Sequence, residues 1–111
     1  MSTDESAFDV APREIAERLC GGEPPDLIDV REPYEWEIAH IPGARLVPLA
    51  TLAEVVPTLD PGREYVVLCH HGARSALAVH AMRAAGLRGA RNLAGGIDRW
   101  SLEVDPSVGR Y

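Results

Sequence analysis

Lysine is absent from the 111-residue sequence, in which all 11 basic residues are arginine. This absence excludes enzymes that form a Schiff base through a lysine amine. Cysteine is scarce, and two residues are too few for a disulfide scaffold. No apolar run approaches the length of a membrane span, and the first ten residues lack the basic and apolar regions of a secretory signal. These absences predict a soluble, cytoplasmic protein with reduced thiols.

Acidic residues outnumber basic ones, which gives a net charge of −6. A negative surface repels nucleic-acid phosphates and anionic lipids, so we expect neither a nucleic-acid nor a membrane partner. A length of 111 residues and a hydrophobic content of 46% fit one globular domain over residues 1–111. The polar residues 1–6 are expected to be disordered.

Short apolar runs alternate with helical patterns along the chain, which predicts an α/β fold with a mainly parallel sheet and helices on both faces. The predicted strands lie at residues 8–10, 26–30, 45–48, 65–68 and 90–93. The predicted helices lie at residues 12–19, 33–39, 49–56 (ended by Pro57), 75–86 and 97–102.

Cys69 directly follows the apolar strand 65–68, and four residues, 70–73, separate it from Arg74. Ser75 then opens the next helix. Backbone N–H groups converge between a strand end and a helix start, and their field favours a thiolate, the nucleophilic form of cysteine. We expect the Cys69 side chain at the mouth of this loop and outside the core. The alternative is a small buried packing residue.

Four other candidates receive structural interpretations. Cys20 is interpreted as a packing residue at a helix end, with a resolving partner for Cys69 as the alternative. Glu35 and Glu37 are interpreted as solvated charges near a helix start. His40 is interpreted as a hydrogen-bonding residue rather than a catalytic base. We also expect Met82 and Trp100 in the core and the polar tail 105–111 on the surface.

Three stretches together resemble the rhodanese sulfurtransferases, in a single-domain version. They are LIDVREPYEWEIAHIPGA at 27–44, YVVLCHHGARSALAVHAMRAAG at 65–86 and NLAGGIDRW at 92–100. The resemblance implies a three-layer rhodanese-like domain and an enzyme with a cysteine persulfide intermediate. Cys69 matches the nucleophile that takes sulfur from a donor such as thiosulfate or a persulfide and passes it to a thiol or protein acceptor. It implies no cofactor.

The residues after Cys69 then acquire expected roles. Backbone N–H groups of 70–74, which include Ala73, would stabilise the sulfur anions, and Arg74 would neutralise the donor or the departing sulfite. Ser75 would cap the helix or donate to the sulfur, and Gly72 would give the loop a shape that a Cβ hinders. Many relatives carry Arg or Lys directly after the cysteine, whereas this chain has His70 and His71. These histidines are either titratable side chains that contact the sulfur donor or exposed residues that shape the loop.

Two further interpretations stay open, and two are disfavoured. The chain ending RWSLEVDPSVGRY is similar to the end of rhodanese domains fused to adenylyltransferases, which implies a sulfur carrier for cofactor or tRNA thiolation. A non-catalytic interaction module is the other alternative. Cysteine phosphatases have one more residue between Cys and Arg, so the shorter loop here favours sulfur over phosphate. Adjacent Cys69, His70 and His71 cannot readily surround one tetrahedral ion, so no metal is expected.

Overall fold

The computed structural model describes residues 7–111, and the expected disorder of residues 1–6 therefore lies outside the described residues. Strands and α-helices alternate in the predicted order. The strands are β1 Asp9–Val10, β2 Asp26–Asp29, β3 Arg45–Leu46, β4 Tyr65–Leu68 and β5 Ala90–Leu93. The helices are α1 Pro12–Leu19, α2 Pro33–Ile38, α3 Leu52–Val55, α4 Ala73–Ala84 and α5 Gly96–Glu103. Short 3-10 helices cover Leu49–Thr51, Val56–Thr58 and Pro106–Val108.

The strands form one sheet in the order β1-β5-β4-β2-β3, and every neighbouring pair is parallel. The predicted α/β fold is thereby confirmed. Leu68 at the end of β4 pairs with Asp29 of β2, and Val67 pairs with Asn92 of β5. The carboxyl ends of these three strands therefore meet at one edge of the sheet, where ligands collect in such folds.

Alternation of side chains along β4 builds the two layers of core. Val66 and Leu68 face the side of α1 and α5, whereas Tyr65 and Val67 face the side of α3 and α4. Met82 and Trp100 are buried as predicted, one in each of these two layers. Because β4 is buried on both faces, its sequence is continuously apolar.

Two details of the sequence interpretation are wrong. The predicted helix 49–56 is not one α-helix: it is divided into the 3-10 helix Leu49–Thr51 and α3, which ends at Val55, and Pro57 lies in the first turn of the 3-10 helix that follows. Cys20 is exposed and therefore is not a packing residue. It follows α1, which packs on the face of the sheet opposite to α4.

Within residues 7–111, no helix combines the length and apolar character needed to cross a bilayer.

A buried ion pair lies at the carboxyl end of β2. Asp29 and Arg31 both have 0% side-chain exposure, and the Nη2 of Arg31 lies 2.7 Å from Oδ2 of Asp29. Arg31 Nε donates to the same carboxylate at 2.9 Å. Two further N–H groups of Arg31 donate to the backbone carbonyls of Glu35 at 3.2 Å and Ala39 at 2.7 Å. This buried arginine therefore ties β2 to α2 and to the residue that follows its last turn.

Replacing Arg31 by Met should lower the free energy of unfolding by about 3–5 kcal/mol, because Asp29 would remain buried without its cation. Arg63→Met is the matched control. Arg63 is 56% exposed and forms an ion pair with Asp26 at 2.9 Å, so its loss should cost about 1 kcal/mol or less. Urea unfolding of the three proteins measures both differences. Equal destabilisation by the two substitutions would contradict the assigned role of Arg31.

Candidate active site

Cys69 occupies the first position after β4, at the edge where the strands end. The alternation of β4 turns its side chain toward α4, together with Tyr65 and Val67. Cys69 is only 1% exposed. The expectation that it lies at the loop mouth, outside the core, is therefore wrong, and a thiolate at this depth would depend on protein donors instead of water.

The sulfur of Cys69 receives two backbone hydrogen bonds and one hydroxyl contact from the segment that follows it. The backbone N–H of Gly72 donates at 3.1 Å. Ser75 donates through its backbone N–H at 3.4 Å and contacts the sulfur through its hydroxyl at 3.3 Å. Donors to a sulfur favour its anionic form. Of the predicted N–H groups of residues 70–74, that of Gly72 donates to the sulfur, and that of Arg74 also helps to lower the pKa of the thiol.

Gly72 and the start of α4 give this segment its shape. Gly72 is the N-cap of α4 with φ of 115°, a conformation that side chains with a Cβ rarely adopt. Its expected role in shaping the loop agrees with this conformation. The helix begins at Ala73 and not at Ser75, so Ala73 and Arg74 belong to its first turn. Ser75 therefore lies inside that turn and directs its donors at the sulfur instead of capping the helix.

Opposing effects act on the acidity of Cys69. Burial raises the pKa of the thiol, and hydrogen bonds from the hydroxyl and N–H of Ser75 and from the N–H of Gly72 lower it. The hydrogen bonds prevail, and the pKa of Cys69 lies below its usual value. The site therefore favours a thiolate despite its burial.

The segment 95–98 holds the other side of the loop. Ile97 N–H donates to the carbonyl of Cys69 at 2.9 Å, and Asp98 N–H donates to that of His70 at 3.1 Å. A Cβ on Gly96 would lie 2.4 Å from the Cys69 carbonyl oxygen. A glycine is needed at position 96 because the loop backbone packs directly against it.

Arg74 forms a bidentate ion pair with Glu35, which was not predicted. Its two terminal nitrogens lie 2.6 and 2.9 Å from the carboxylate oxygens of Glu35. Glu35 is only 3% exposed, so its interpretation as a solvated charge is wrong, whereas Glu37 is exposed as expected. Hydrogen bonds from Arg74, which outweigh burial, lower the pKa of Glu35 to about 2. The positive charge of Arg74 is thus shared with a carboxylate.

Tyr111 joins the same network from the far end of the sequence. Its hydroxyl donates to Glu35 at 2.7 Å and accepts from Arg31 at 2.9 Å. Burial raises the pKa of Tyr111 to about 12, so the phenol remains protonated. Tyr111 is exposed, as expected for the surface tail 105–111, but the contact of its hydroxyl with the site was not predicted.

The two histidines differ in environment. His70 is stacked between His71, at 3.9 Å between ring centroids, and Tyr111, at 4.0 Å. Burial and the neighbouring His71 lower the pKa of His70, which is therefore neutral at pH 7 in the free protein. His71 is exposed, and its Nε2 lies 3.9 Å from Oδ2 of Asp98.

His40, away from this cluster, contacts the carbonyl of Trp36 through Nδ1 at 2.9 Å, in agreement with a structural role.

His70, His71 and Asp98 offer ligand atoms within 4.8 Å of one another. The two imidazole rings, however, are stacked with an angle of 26° between their planes. Imidazole lone pairs lie in the ring plane, so nearly parallel stacked rings do not direct them at one point. Asp98 also pairs with Arg110 at 2.8 Å. The expectation of no metal site remains a prediction.

The family model of the rhodanese-like domain matches residues 11–103. The chain belongs to this family. The probable adenylyltransferase/sulfurtransferase MoeZ of Mycobacterium tuberculosis is 40% identical over 104 residues, which are 92% of this chain and 26% of that protein. The chain thus spans about a quarter of the length of this curated relative.

Solved structures confirm the rhodanese-like fold. A rhodanese-like domain protein from Staphylococcus aureus has a TM-score of 0.81 at 27% identity, with 93% of this chain and 97% of that chain covered. The human single-domain sulfurtransferase TSTD1 has a TM-score of 0.76 at 29% identity, with 87% of this chain and 97% of that chain covered.

Sequence reasoning about this rhodanese-like domain missed the polar residues that support the loop. A carboxylate at Asp29, inside the apolar run Leu27–Val30, is a signal that it has a buried partner, and Arg31 is the nearest cation. Asn92 in β5 carries the same signal. Nothing local identifies Tyr111, because its partners lie 76 and 80 residues away in the sequence.

Replacing Glu35 by Gln should remove a pH-dependent part of the stability. The pKa of Glu35 falls from 4.5 to about 2 on folding, so its ionised form stabilises the fold above about pH 5. The advantage of the wild type, on the order of 2–3 kcal/mol, should decline as the pH falls from 4.5 toward 2. Urea unfolding at several pH values measures it.

Glu37→Gln removes an exposed charge from the same helix and serves as the control. We expect it to change the free energy of unfolding by about 0.5 kcal/mol or less at neutral pH. A wild-type advantage over Glu35→Gln that stays constant from neutral pH to pH 2 would contradict the ion-pair account.

Proposed function

We propose that this rhodanese-like domain, over residues 1–111, is a sulfurtransferase that carries sulfane sulfur on Cys69, in the reducing cytoplasm. The observation that supports the proposal most is the set of hydrogen bonds to the Cys69 sulfur from Gly72 and Ser75. A cysteine that only packs in a core needs no such donors. The family relationship supports the same chemistry, since TSTD1 and MoeZ both bear the name sulfurtransferase.

In the first half-reaction, the Cys69 thiolate attacks the outer sulfur of thiosulfate. A bond forms between Sγ and that sulfur, the sulfur–sulfur bond of thiosulfate breaks, and sulfite leaves with its electron pair. In the second, an acceptor thiolate or cyanide attacks the outer sulfur of the persulfide and the Cys69 thiolate is regenerated. The donors that hold the thiolate are in place before each attack, which lowers the cost of forming the anion.

The second candidate function is that of a sulfur carrier for cofactor or tRNA thiolation. In that function the sulfur donor is a persulfide, or the sulfur acceptor is a protein. The pairing of Arg74 with Glu35 favours this candidate, because a shared cation offers less attraction to the thiosulfate dianion. The similarity to MoeZ points the same way. Slow turnover with thiosulfate, combined with fast discharge to a protein thiol, would support it.

Intact mass after incubation with thiosulfate tests whether Cys69 carries sulfur. The wild type should gain one sulfur that cyanide removes, and Cys69→Ser should gain none. Cys20→Ser is the matched control and should load like the wild type, because Cys20 is exposed and lies outside the site. Far-ultraviolet circular dichroism checks that each variant folds. Loading of Cys69→Ser, or loss of loading in Cys20→Ser, would contradict the proposal.

The Michaelis constant for thiosulfate should depend on pH through His70. In the free protein the pKa of His70 is lowered by burial, and a bound dianion would raise it because it stabilises the protonated ring. Affinity should be greatest below the pKa of the free protein and should fall as the pH rises through the pKa of the complex. We expect a several-fold increase in KM from about pH 5 to about pH 8.5.

His70→Gln should flatten this dependence and leave KM high, while His71→Gln serves as the control for the neighbouring exposed ring. Steady-state assays of the three proteins across the pH range provide the comparison. If the wild type and His70→Gln give superimposable profiles of KM, His70 does not contact the donor.

A further inference from the structure

The Ser75 hydroxyl has one proton and two acceptors in contact. Its oxygen lies 2.5 Å from Oδ1 of Asn92 and 3.3 Å from the sulfur of Cys69. Ser75 is 0% exposed, so solvent does not supply a third partner. A hydroxyl donates only one hydrogen bond at a time and can accept others. With Cys69 as a thiol, the proton lies toward the nearer acceptor, Asn92, and a lone pair of the hydroxyl faces the sulfur.

The orientation of the Asn92 amide is set by its other contacts. Its Nδ2 donates to Oδ1 of Asp9 at 3.0 Å and to the carbonyl of Gly72 at 3.3 Å. Because both of these partners accept, the nitrogen must face them and Oδ1 must face Ser75. Asn92 is 6% exposed, and it lies on the side of β5 that faces α4. Among the described residues, Oδ1 of Asn92 accepts no other hydrogen bond, so the Ser75 hydroxyl is its donor.

Two hydrogen-bond arrangements follow for the two forms of Cys69. With a thiol, the S–H donates to Ser75 and the Ser75 hydroxyl donates to Asn92, so every buried group has a partner. With a thiolate, two arrangements are available. In one, the Ser75 hydroxyl keeps donating to Asn92, and only the backbone N–H groups donate to the sulfur. In the other, the hydroxyl donates to the sulfur, and Oδ1 of Asn92 is buried without a donor. Leaving a buried acceptor unpaired costs free energy. Asn92 therefore competes with the sulfur for one proton.

We propose that Asn92 is a positioning residue that controls, through the Ser75 hydroxyl, how strongly the Cys69 sulfur is held as an anion. The competition makes the thiolate less stable than Ser75 alone would make it. This matters for sulfur transfer because a less stabilised thiolate is a stronger nucleophile. In the persulfide the negative charge moves to the outer sulfur, and the hydroxyl then returns to Asn92. The role in transfer depends on the proposed function, whereas the effect on the thiolate does not.

The charged and titratable groups around the sulfur do not touch the Ser75 hydroxyl. Asp9 contacts the opposite end of the Asn92 amide, and Arg74 pairs with Glu35. His70 stacks between His71 and Tyr111. Asp98 pairs with Arg110. Substitution of Asn92 therefore changes the hydroxyl without removing any charge.

Titration of the thiolate by its ultraviolet absorbance, in the full chain with Cys20→Ser to remove the second thiol, tests the proposal. Asn92→Leu has a similar shape without an acceptor and leaves the Ser75 proton free for the sulfur. We expect it to lower the pKa of Cys69 by about one unit, the size of one hydrogen bond to a charged group. In a Ser75→Ala background the same substitution should cause no shift. Asp9→Asn, which leaves the Asn92–Ser75 contact in place, is the control and should resemble the wild type.

Equal shifts in the two backgrounds would overturn the proposal, since Asn92 would then act without Ser75. A pKa that is unchanged or raised by Asn92→Leu would overturn it as well. Asn92→Ala provides a second variant if the leucine does not fit. If neither variant folds, Asn92 is required for folding and its assigned role is wrong. The titration needs no sulfur donor, so a failure of sulfur loading and a failure of this proposal are separate results.

Discussion

The site depends on one interaction, the hydrogen bonds that stabilise an anion on the nearly fully buried sulfur of Cys69. Alternation along β4 carries Cys69 into the layer under α4, where no solvent can serve it. The backbone then turns through Gly72 and starts α4 at once, so that the N–H groups of Gly72 and Ser75 and the Ser75 hydroxyl reach the sulfur. Burial and these donors act in opposite directions on the thiol, and the donors win. The lowered pKa of this buried thiol is thus a consequence of how the strand ends and how α4 begins.

A second polar network supports the loop from outside. The buried Arg31 links β2 to α2, and Glu35 on α2 links α2 to Arg74 at the start of α4. Tyr111 closes this network and packs on His70. Because the charges of Arg31, Glu35 and Arg74 are paired, they can lie together at the carboxyl edge of the sheet without leaving a buried charge uncompensated. The same pairing reduces the charge that Arg74 offers to an anionic donor.

Local patterns in the sequence were enough for the order of strands and helices and for the position of Cys69 before a helix. These features depend on neighbours in the chain, namely the apolar run of β4 and the glycines of the turns. The burial of Cys69 depends on which face of the sheet its side chain joins. The hydrogen-bond partners of Glu35 and Tyr111 lie far from these residues in the sequence. A helix-start carboxylate such as Glu35 looks solvated until tertiary structure supplies Arg74. Contacts of that kind leave no local pattern.

The most direct test of the account is a high-resolution crystal structure of the protein after treatment with thiosulfate. The account predicts density for one additional sulfur on Sγ of Cys69, within hydrogen-bond distance of backbone N–H groups in the segment 70–75. Additional sulfur on Cys20, or a Cys69 that remains unmodified under conditions in which the protein takes up sulfur, would contradict it.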